Sequence, residues 1–239
     1  MNKDLTFIIP AAGKSTRFKT KKSKIFFKYK KKIILEHIID KCLFFSSNII
    51  IISNNKNLKS LQLIIKKKYK NFNIKVLIQK KPRGMGDAIN VGLQKVKTKI
   101  TAIIWADQIY LKNETIKKTL IFFKSSKSLF TFPVFFKKNP YTKIIRNKSN
   151  QFKDIIQSKE VSYKIKSGES DCGFFVFKTL EIRKLIKNLI LKNMIITKKS
   201  KEVDFLSAFK FFKKFGKITT IKAKNVRDTI GINYKKDLI

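Results

Sequence analysis

Leu5-Thr6-Phe7-Ile8-Ile9-Pro10-Ala11-Ala12-Gly13-Lys14-Ser15-Thr16-Arg17-Phe18 begins as an apolar, β-branched run and turns within a few residues into small and charged ones. A run this short, closed by Pro and Gly, reads as a strand buried on both faces rather than as one side of a helix. Pro10 and the charged loop behind it set the run apart from a secretion signal, which it superficially imitates. The loop suits phosphates. Its small residues let backbone N–H groups approach anionic oxygens closely, and Lys14 and Arg17 can neutralise charge that the amides leave exposed. It is not a Walker loop, since no Gly-Lys-Ser/Thr follows at the required spacing, and not a dinucleotide fingerprint, since Gly13 stands alone.

Working outward, further short apolar runs cover residues 48–53, 74–79, 101–106 and 129–134, with later ones at 172–177 and 218–223. Apolar residues at helical spacing cover 33–44, 58–69, 180–191 and 205–215. Strands alternating with helices predict an α/β fold with a mixed, mostly parallel sheet flanked by helices on both faces. No Gly/Ser linker or internal repeat divides the chain, so residues 1–239 are expected to form one domain.

Lys and Arg number 56 against 15 Asp and Glu, a net charge of +41, which taken alone points to a polyanion partner. The surplus is nearly all Lys, spread from Lys3 to Lys236 rather than gathered with Arg and aromatics in a patch, and AT-rich codons would supply the same Lys, Ile, Phe and Asn excess. The lysines therefore read as a solvated face, with no specific nucleic-acid partner expected. Cys42 and Cys172 have no metal-ligand or disulfide-framework spacing, and no apolar run is long enough for a membrane span. A soluble protein of the reducing cytoplasm is expected.

Two further blocks carry chemistry. Gln79-Lys80-Lys81-Pro82-Arg83-Gly84-Met85-Gly86-Asp87-Ala88 places an amide and two glycines at a strand-to-helix turn. An amide can pair with the donor and acceptor edge of a base, and glycines let a ring approach the backbone, though such a turn is also ordinary in α/β proteins. Ile103-Ile104-Trp105-Ala106-Asp107 delivers a carboxylate at the end of an apolar strand, where open α/β sheets bind ligands. A lone Asp there can be a helix cap, or one of the few protein ligands that Mg²⁺ needs beside substrate phosphates.

Taken together these blocks resemble the sugar-phosphate nucleotidyltransferases, especially the uridylyltransferase domain acting on N-acetylglucosamine 1-phosphate. That family has A-A-G-x-G-T-R-M, a P-K pair and a helix reading L-E-H, matched here by residues 11–18, Ser23-Lys24 and Leu35-Glu36-His37. Ser15 stands where a second Gly is usual, and Ser23 where Pro is usual. Ile230-Gly231-Ile232-Asn233 is similar to the family's closing G-V-N, and Asp107 falls in its G-D pair with Ala106 for Gly. The weaker matches Tyr141-Thr142-Lys143-Ile144, Ile156-Gln157 and Glu169-Ser170-Asp171-Cys172-Gly173 each depart at one position: Thr142, Gln157 and Asp171.

The resemblance implies a Rossmann-like, GT-A type domain that transfers a nucleotidyl group from a nucleoside triphosphate to a sugar 1-phosphate and releases pyrophosphate. It implies Arg17 and Lys24 as catalytic cations, and Ala11, Ala12, Gly13, Lys14, Ser15, Gln79, Gly84, Met85 and Asp107 around the nucleotide. It further implies Asp107 and Asn233 as ligands of Mg²⁺, with Thr142, Gln157 and Asp171 where the sugar would lie. Because those three differ from the pattern, an acceptor other than N-acetylglucosamine 1-phosphate is expected. Two alternatives stay open: a cytidylyltransferase acting on an alcohol phosphate, and a noncatalytic nucleotide- or polyanion-binding protein. His37, the only histidine, is given no role.

Overall fold

The computed structural model describes residues 2–13, 15, 18 and 23–238. The first half runs β1 (Leu5–Pro10), the short hairpin β2 (Lys28–Tyr29) and β3 (Lys32–Ile33), α1 (Ile34–Phe45), β4 (Asn48–Ser53), α2 (Asn55–Lys68), β5 (Asn73–Ile78), α3 (Met85–Leu93) and β6 (Ile100–Ile104). The second runs α4 (Asn113–Ser125), β7 (Phe130–Lys138), the hairpin β8 (Thr142–Arg146) and β9 (Phe152–Gln157), β10 (Ser167–Asp171), β11 (Phe174–Lys178), α5 (Thr179–Leu191), α6 (Phe209–Phe212) and β12 (Ile218–Lys222).

The main sheet has the order β10-β7-β11-β6-β1-β4-β5, with β12 paired to β7. The stretch β6-β1-β4-β5 is parallel, β11 and β10 run antiparallel to their partners, and β12 is parallel to β7, so the sheet is mixed and mostly parallel at its centre. Alternation within β1 feeds both faces. Leu5, Phe7 and Ile9 join a core with Ile34, Ile38 and Cys42 of α1 and Ile116 of α4, while Ile8 joins a second core with Ile89 of α3 and Ile182 of α5. A strand buried on both sides needs a continuous apolar run, which is why β1 and β4 read so plainly in the sequence.

The second core is largely phenylalanine. Phe130, Phe132, Phe175, Phe177, Phe205, Phe209 and Phe212 are all fully buried or nearly so, and Phe130 stacks on Phe177 at 5.5 Å. The helix expected over residues 205–215 is realised only in part, as a 3-10 turn over Leu206–Ala208 followed by α6. Its apolar spacing is nonetheless helical in phase, since Phe205, Phe209 and Phe212 enter the same cluster. The expected run at 172–177 turns a corner at Gly173, between β10 and β11. No helix among the described residues is long and apolar enough to cross a membrane.

Candidate active site

From β1 the chain winds outward through β4 to β5, then returns across the sheet to β6 on the other side of β1. Such a reversal of winding opens a crevice at the carboxyl ends of the two central strands, the usual ligand position in open α/β sheets. Here the end of β1 carries Pro10, Ala11, Ala12, Gly13 and Ser15, and the end of β6 carries Trp105, Ala106 and Asp107. All of them line one cavity of about 500 Å³. Asn54 Nδ2 donates to the Ala12 carbonyl at 2.9 Å and Ala11 N to Ile52 O at 2.8 Å, so the small-residue loop is held from β4. Lys14 and Arg17 lie outside the described residues.

The two departures from the family loop meet each other. Ser15 keeps a left-handed backbone, φ 55°, and Ser23 has φ −58° and ψ 142°, values a proline would adopt. Their hydroxyls lie 3.2 Å apart, and Lys24 N donates to Ser15 Oγ at 3.2 Å. The backbone that glycine and proline would favour is thus retained, with a hydroxyl bridge in addition.

Across the cavity Lys24 Nζ donates to Asp107 Oδ2 at 2.5 Å and to the Ile232 carbonyl at 2.8 Å. The 230–233 segment is tied to the same place, because Ile232 N donates to the Asp107 carbonyl at 3.0 Å. Asn233 lines the cavity, and its Nδ2 donates to Gly231 O at 3.2 Å, which leaves Oδ1 as its available side-chain donor to a cation. A carboxylate and an amide oxygen on one wall are hard ligands of the kind that a small divalent cation takes together with substrate phosphates. The described residues hold no group of three or more His, Cys, Asp and Glu side chains that could bind a metal by themselves. The donor set therefore fits a cation shared with a phosphorylated ligand rather than a closed protein cage.

Gln79, Gly84 and Met85 form another wall. Gln79 follows β5, is 6% exposed, and uses Nε2 twice, towards Gly84 O at 2.9 Å and Asp87 Oδ2 at 2.9 Å. Oε1 takes no hydrogen bond from a described residue. Gly84 caps α3 at φ 108°, and a Cβ there would lie 2.6 Å from Val203 O. Close approach of the backbone is real at Gly84, but what approaches is the 202–204 segment, clipped on by Gly86 N to Val203 O at 2.8 Å and Val203 N to Arg83 O at 2.7 Å.

The remaining wall is built by Tyr141, Gln157, Lys159, Glu202, Asp204, Phe205 and Leu206. Gln157 alone of the three expected sugar residues lines the cavity, and its Nε2 donates to Asp204 Oδ2 at 2.8 Å. Thr142 and Asp171 sit behind it. Thr142 Oγ1 donates to Asp171 Oδ2 at 2.6 Å, and Gly173 N donates to Asp171 Oδ1 at 2.7 Å; both side chains are buried and neither lines the cavity. Burial raises the Asp171 carboxyl pKa against the lowering effect of these hydrogen bonds.

Sequence reasoning passed over Trp105, Lys159, Glu202 and Asp204. Lys159 stands two residues beyond Gln157, and its Nζ lies 3.1 Å from Glu202 Oε2. Burial works against its charge, but the Glu202 hydrogen bond and the nearby Tyr141 and Asp204 raise its pKa. Glu202 and Asp204 carried no signal that could have placed them, because their segment reaches the site through long-range pairing with residues 83–86 and 195–197 and through Gln157 and Lys159. Trp105 was visible in the strand, and its wall position follows from packing on Phe175 at 5.0 Å and Phe205 at 6.1 Å.

The other landmarks are structural. His37 Nε2 lies 3.0 Å from the Tyr29 carbonyl, Glu36 takes an ion pair from Lys68, and Leu35 is fully buried. Cys42 and Cys172 are free and buried, and burial holds both thiols well above their ordinary pKa. A wider groove of about 1650 Å³, between the β8–β9 hairpin and β12, carries several lysines and none of the candidate site residues.

The model of the MobA-like NTP transferase domain matches residues 7–152. Among curated proteins, "Bifunctional protein GlmU" of Buchnera aphidicola subsp. Schizaphis graminum is 27% identical over 242 residues, covering 100% of this chain and 50% of that protein. Its counterpart from Buchnera aphidicola subsp. Acyrthosiphon pisum (strain Tuc7) is 29% identical over 244 residues, with the same coverage. The chain thus spans about half the length of the curated relatives it matches. Among solved structures, a putative glucose-1-phosphate thymidylyltransferase from Bacillus anthracis superposes with a TM-score of 0.75 at 16% identity, covering 92% of this chain and 87% of that one. The 4-diphosphocytidyl-2C-methyl-D-erythritol synthase from Anaerococcus prevotii gives 0.65 at 16% identity, covering 98% and 94%. These two likenesses concern the fold, while the family match covers the loop after β1, the wall of Gln79, Gly84 and Met85, and Asp107, and on that match the chain belongs to the MobA-like NTP transferase domain family.

Proposed function

We propose that the chain transfers a nucleotidyl group from a nucleoside triphosphate to a sugar 1-phosphate, forming a nucleotide-sugar and releasing pyrophosphate, with Mg²⁺ as the cation. One observation carries the reading. Residues 10–13, Ser15, Lys24, Gln79, Asp107 and Asn233, spread over most of the sequence, line a single cavity at the reversal point of the sheet. The sugar-phosphate oxygen attacks the α-phosphorus in line, the bond to the β-phosphate oxygen breaks, and pyrophosphate leaves. Little covalent help from the protein is required, because positioning and charge neutralisation are the main levers in such transfers. Backbone N–H groups of the small-residue loop and Lys24 hold the phosphates. Asp107 and Asn233 would hold Mg²⁺, which when bound supplies charge neutralisation on the phosphate oxygens. Gln79 faces the base, and Gln157 with Lys159 receives the acceptor.

The test is pyrophosphate release from each of the four nucleoside triphosphates against a panel of sugar 1-phosphates, with choline phosphate and methylerythritol phosphate included to catch an alcohol-phosphate acceptor. Asp107→Asn sharpens it. A cap residue would tolerate this change, losing at most about 1 kcal/mol of stability. A cation ligand would not, and turnover is expected to fall roughly 100-fold or more, about 3 kcal/mol of barrier, while Tm moves by only a few degrees. Near-normal pyrophosphate release by folded Asp107→Asn at low magnesium would overturn the cation assignment. Strongly salt-dependent polyanion binding without any pyrophosphate would favour a noncatalytic role.

A further inference from the structure

We propose that Asp87 is a positioning residue that governs nucleobase choice by dictating which atom of Gln79 faces the base; the proposal rests on the nucleotidyl-transfer reading above. A carboxylate has no hydrogen to give, and neither has a carbonyl. Gln79 meets both, Asp87 Oδ2 and Gly84 O, each at 2.9 Å, so the atom directed at them is the NH₂ and the amide cannot be turned over without losing two bonds. Asp87 itself is locked. It is 4% exposed, lies in the first turn of α3, and takes Arg83 Nη2 on its other oxygen at 2.5 Å. What remains for the cavity is Gln79 Oε1, which can only accept.

The base must therefore bring an N–H to this point: the ring N–H of an imide or lactam, or an exocyclic amine. An edge that offers only acceptors would face a buried oxygen and leave both groups unpaired, which weakens binding about 10- to 100-fold. Asp87 enforces this although it does not line the cavity.

Asp87→Asn separates positioning from structure. Arg83 is a charged donor and draws the new side-chain oxygen towards itself, which turns the new NH₂ towards Gln79. Two NH₂ groups cannot hydrogen-bond to each other, so Gln79 turns its oxygen to the new NH₂, gives up its bond to Gly84 O, and presents a donor to the base. Binding is read by the fluorescence of Trp105, the only tryptophan and a cavity residue. Expected are a 10- to 100-fold weaker affinity for the preferred triphosphate, a changed ranking of the four bases, and kcat at saturation within severalfold of the parent, since Lys24 and Asp107 are untouched. In the wild type, an analogue of the preferred triphosphate with its N–H donor replaced by N-methyl, such as 3-methyluridine or N4,N4-dimethylcytidine triphosphate, is expected to bind 10- to 100-fold more weakly. Asp87→Asn should lose most of that discrimination.

An unchanged base ranking in folded Asp87→Asn would overturn the proposal. Equal binding of the N-methylated analogue by the wild type would overturn it whether or not the variant folds. Pyrophosphate release that is normal in both cases would leave the nucleotidyl-transfer reading standing. Absence of any Trp105 response and any pyrophosphate with all four triphosphates would bring down that reading, and this proposal with it.

Discussion

Ser15 and Ser23 each keep the backbone angles that glycine and proline would favour at their positions. A left-handed backbone at a residue other than glycine costs about 1 kcal/mol, and the hydroxyl bridge between the two serines offsets part of it. Ser15→Gly and Ser23→Pro should each relax the backbone but strip the bridge. A double-mutant cycle of urea unfolding is then expected to show the pair more stable than the sum of its singles by about 0.5–1 kcal/mol, since the second change has no bridge left to lose. Strict additivity would mean that the bridge contributes nothing. Asp171 offers a second case, in pH. Burial raises its folded pKa above the unfolded value, so its proton is held more tightly in the fold; that stabilisation is present at low pH and is lost as pH rises from the ordinary carboxylate range through the raised value. At neutral pH the charge is a net cost. Asp171→Asn, which restores the residue usual in the family, is expected to match or exceed the parent's Tm at pH 7 and to lose less stability as pH rises above the ordinary carboxylate range of about 4. A lower Tm at pH 7 would mean that the hydrogen bonds from Thr142 and Gly173 N outweigh the burial of the charge.

At the scale of elements, α3 and the 202–204 segment act as one piece. Gly84 joins them, with φ 108° and no room for a side chain against Val203 O. Gly84→Ala is expected to cost about 3 kcal/mol or more and to lower Tm by roughly 6–12 °C, because the strained backbone and the clash add. Gly13 is the control. A Cβ there would meet nothing within 4 Å, so Gly13→Ala should leave Tm within about 1–2 °C of the parent. Any loss of pyrophosphate release in that variant then reports on the approach of phosphate to the loop. Calorimetry and activity on the two variants check both statements, and a Gly84→Ala protein as stable as the parent would sink the first. The same clip explains an omission in the sequence reading. Residues 202–204 have no helical or strand period, and their place at the cavity is set by hydrogen bonds to distant residues, 83–86 and 195–197 through the backbone and Gln157 and Lys159 through side chains.

For the whole molecule, the charge of +41 works against compactness. With a Debye length near 30 Å at about 0.01 M salt, lysines across the surface repel one another, and at about 0.15 M the length falls to some 8 Å. Tm is therefore expected to rise by several degrees when NaCl is raised over that range, as measured by calorimetry in chloride to avoid anions that mimic phosphate. A falling Tm would mean that surface ion pairs, such as Lys32 with Asp40, outweigh the general repulsion. Against this background the fold was legible because burial on both faces demands unbroken apolar runs, and the runs at β1, β4, β5 and β6 stand out even in a lysine-rich chain. The loop after β1, Gln79 and Asp107 were legible for a related reason: each directly follows one of those buried strands, at the ends that meet in one cavity. Helix α4 and the β8–β9 hairpin were not read, and of α3 only the turn that starts it was, since α3 carries Gly86 and Gly92 inside it and the hairpin is mostly polar. What the sequence by itself determined is the parallel core and which residues stand at the ends of its central strands. Only the tertiary structure decided that Thr142 and Asp171 bond to each other behind the wall, that Lys159, Glu202 and Asp204 complete it, and that Asp87 turns the amide of Gln79. Those outcomes depend on which distant backbone satisfies which buried polar group, and no local pattern of residues encodes that pairing.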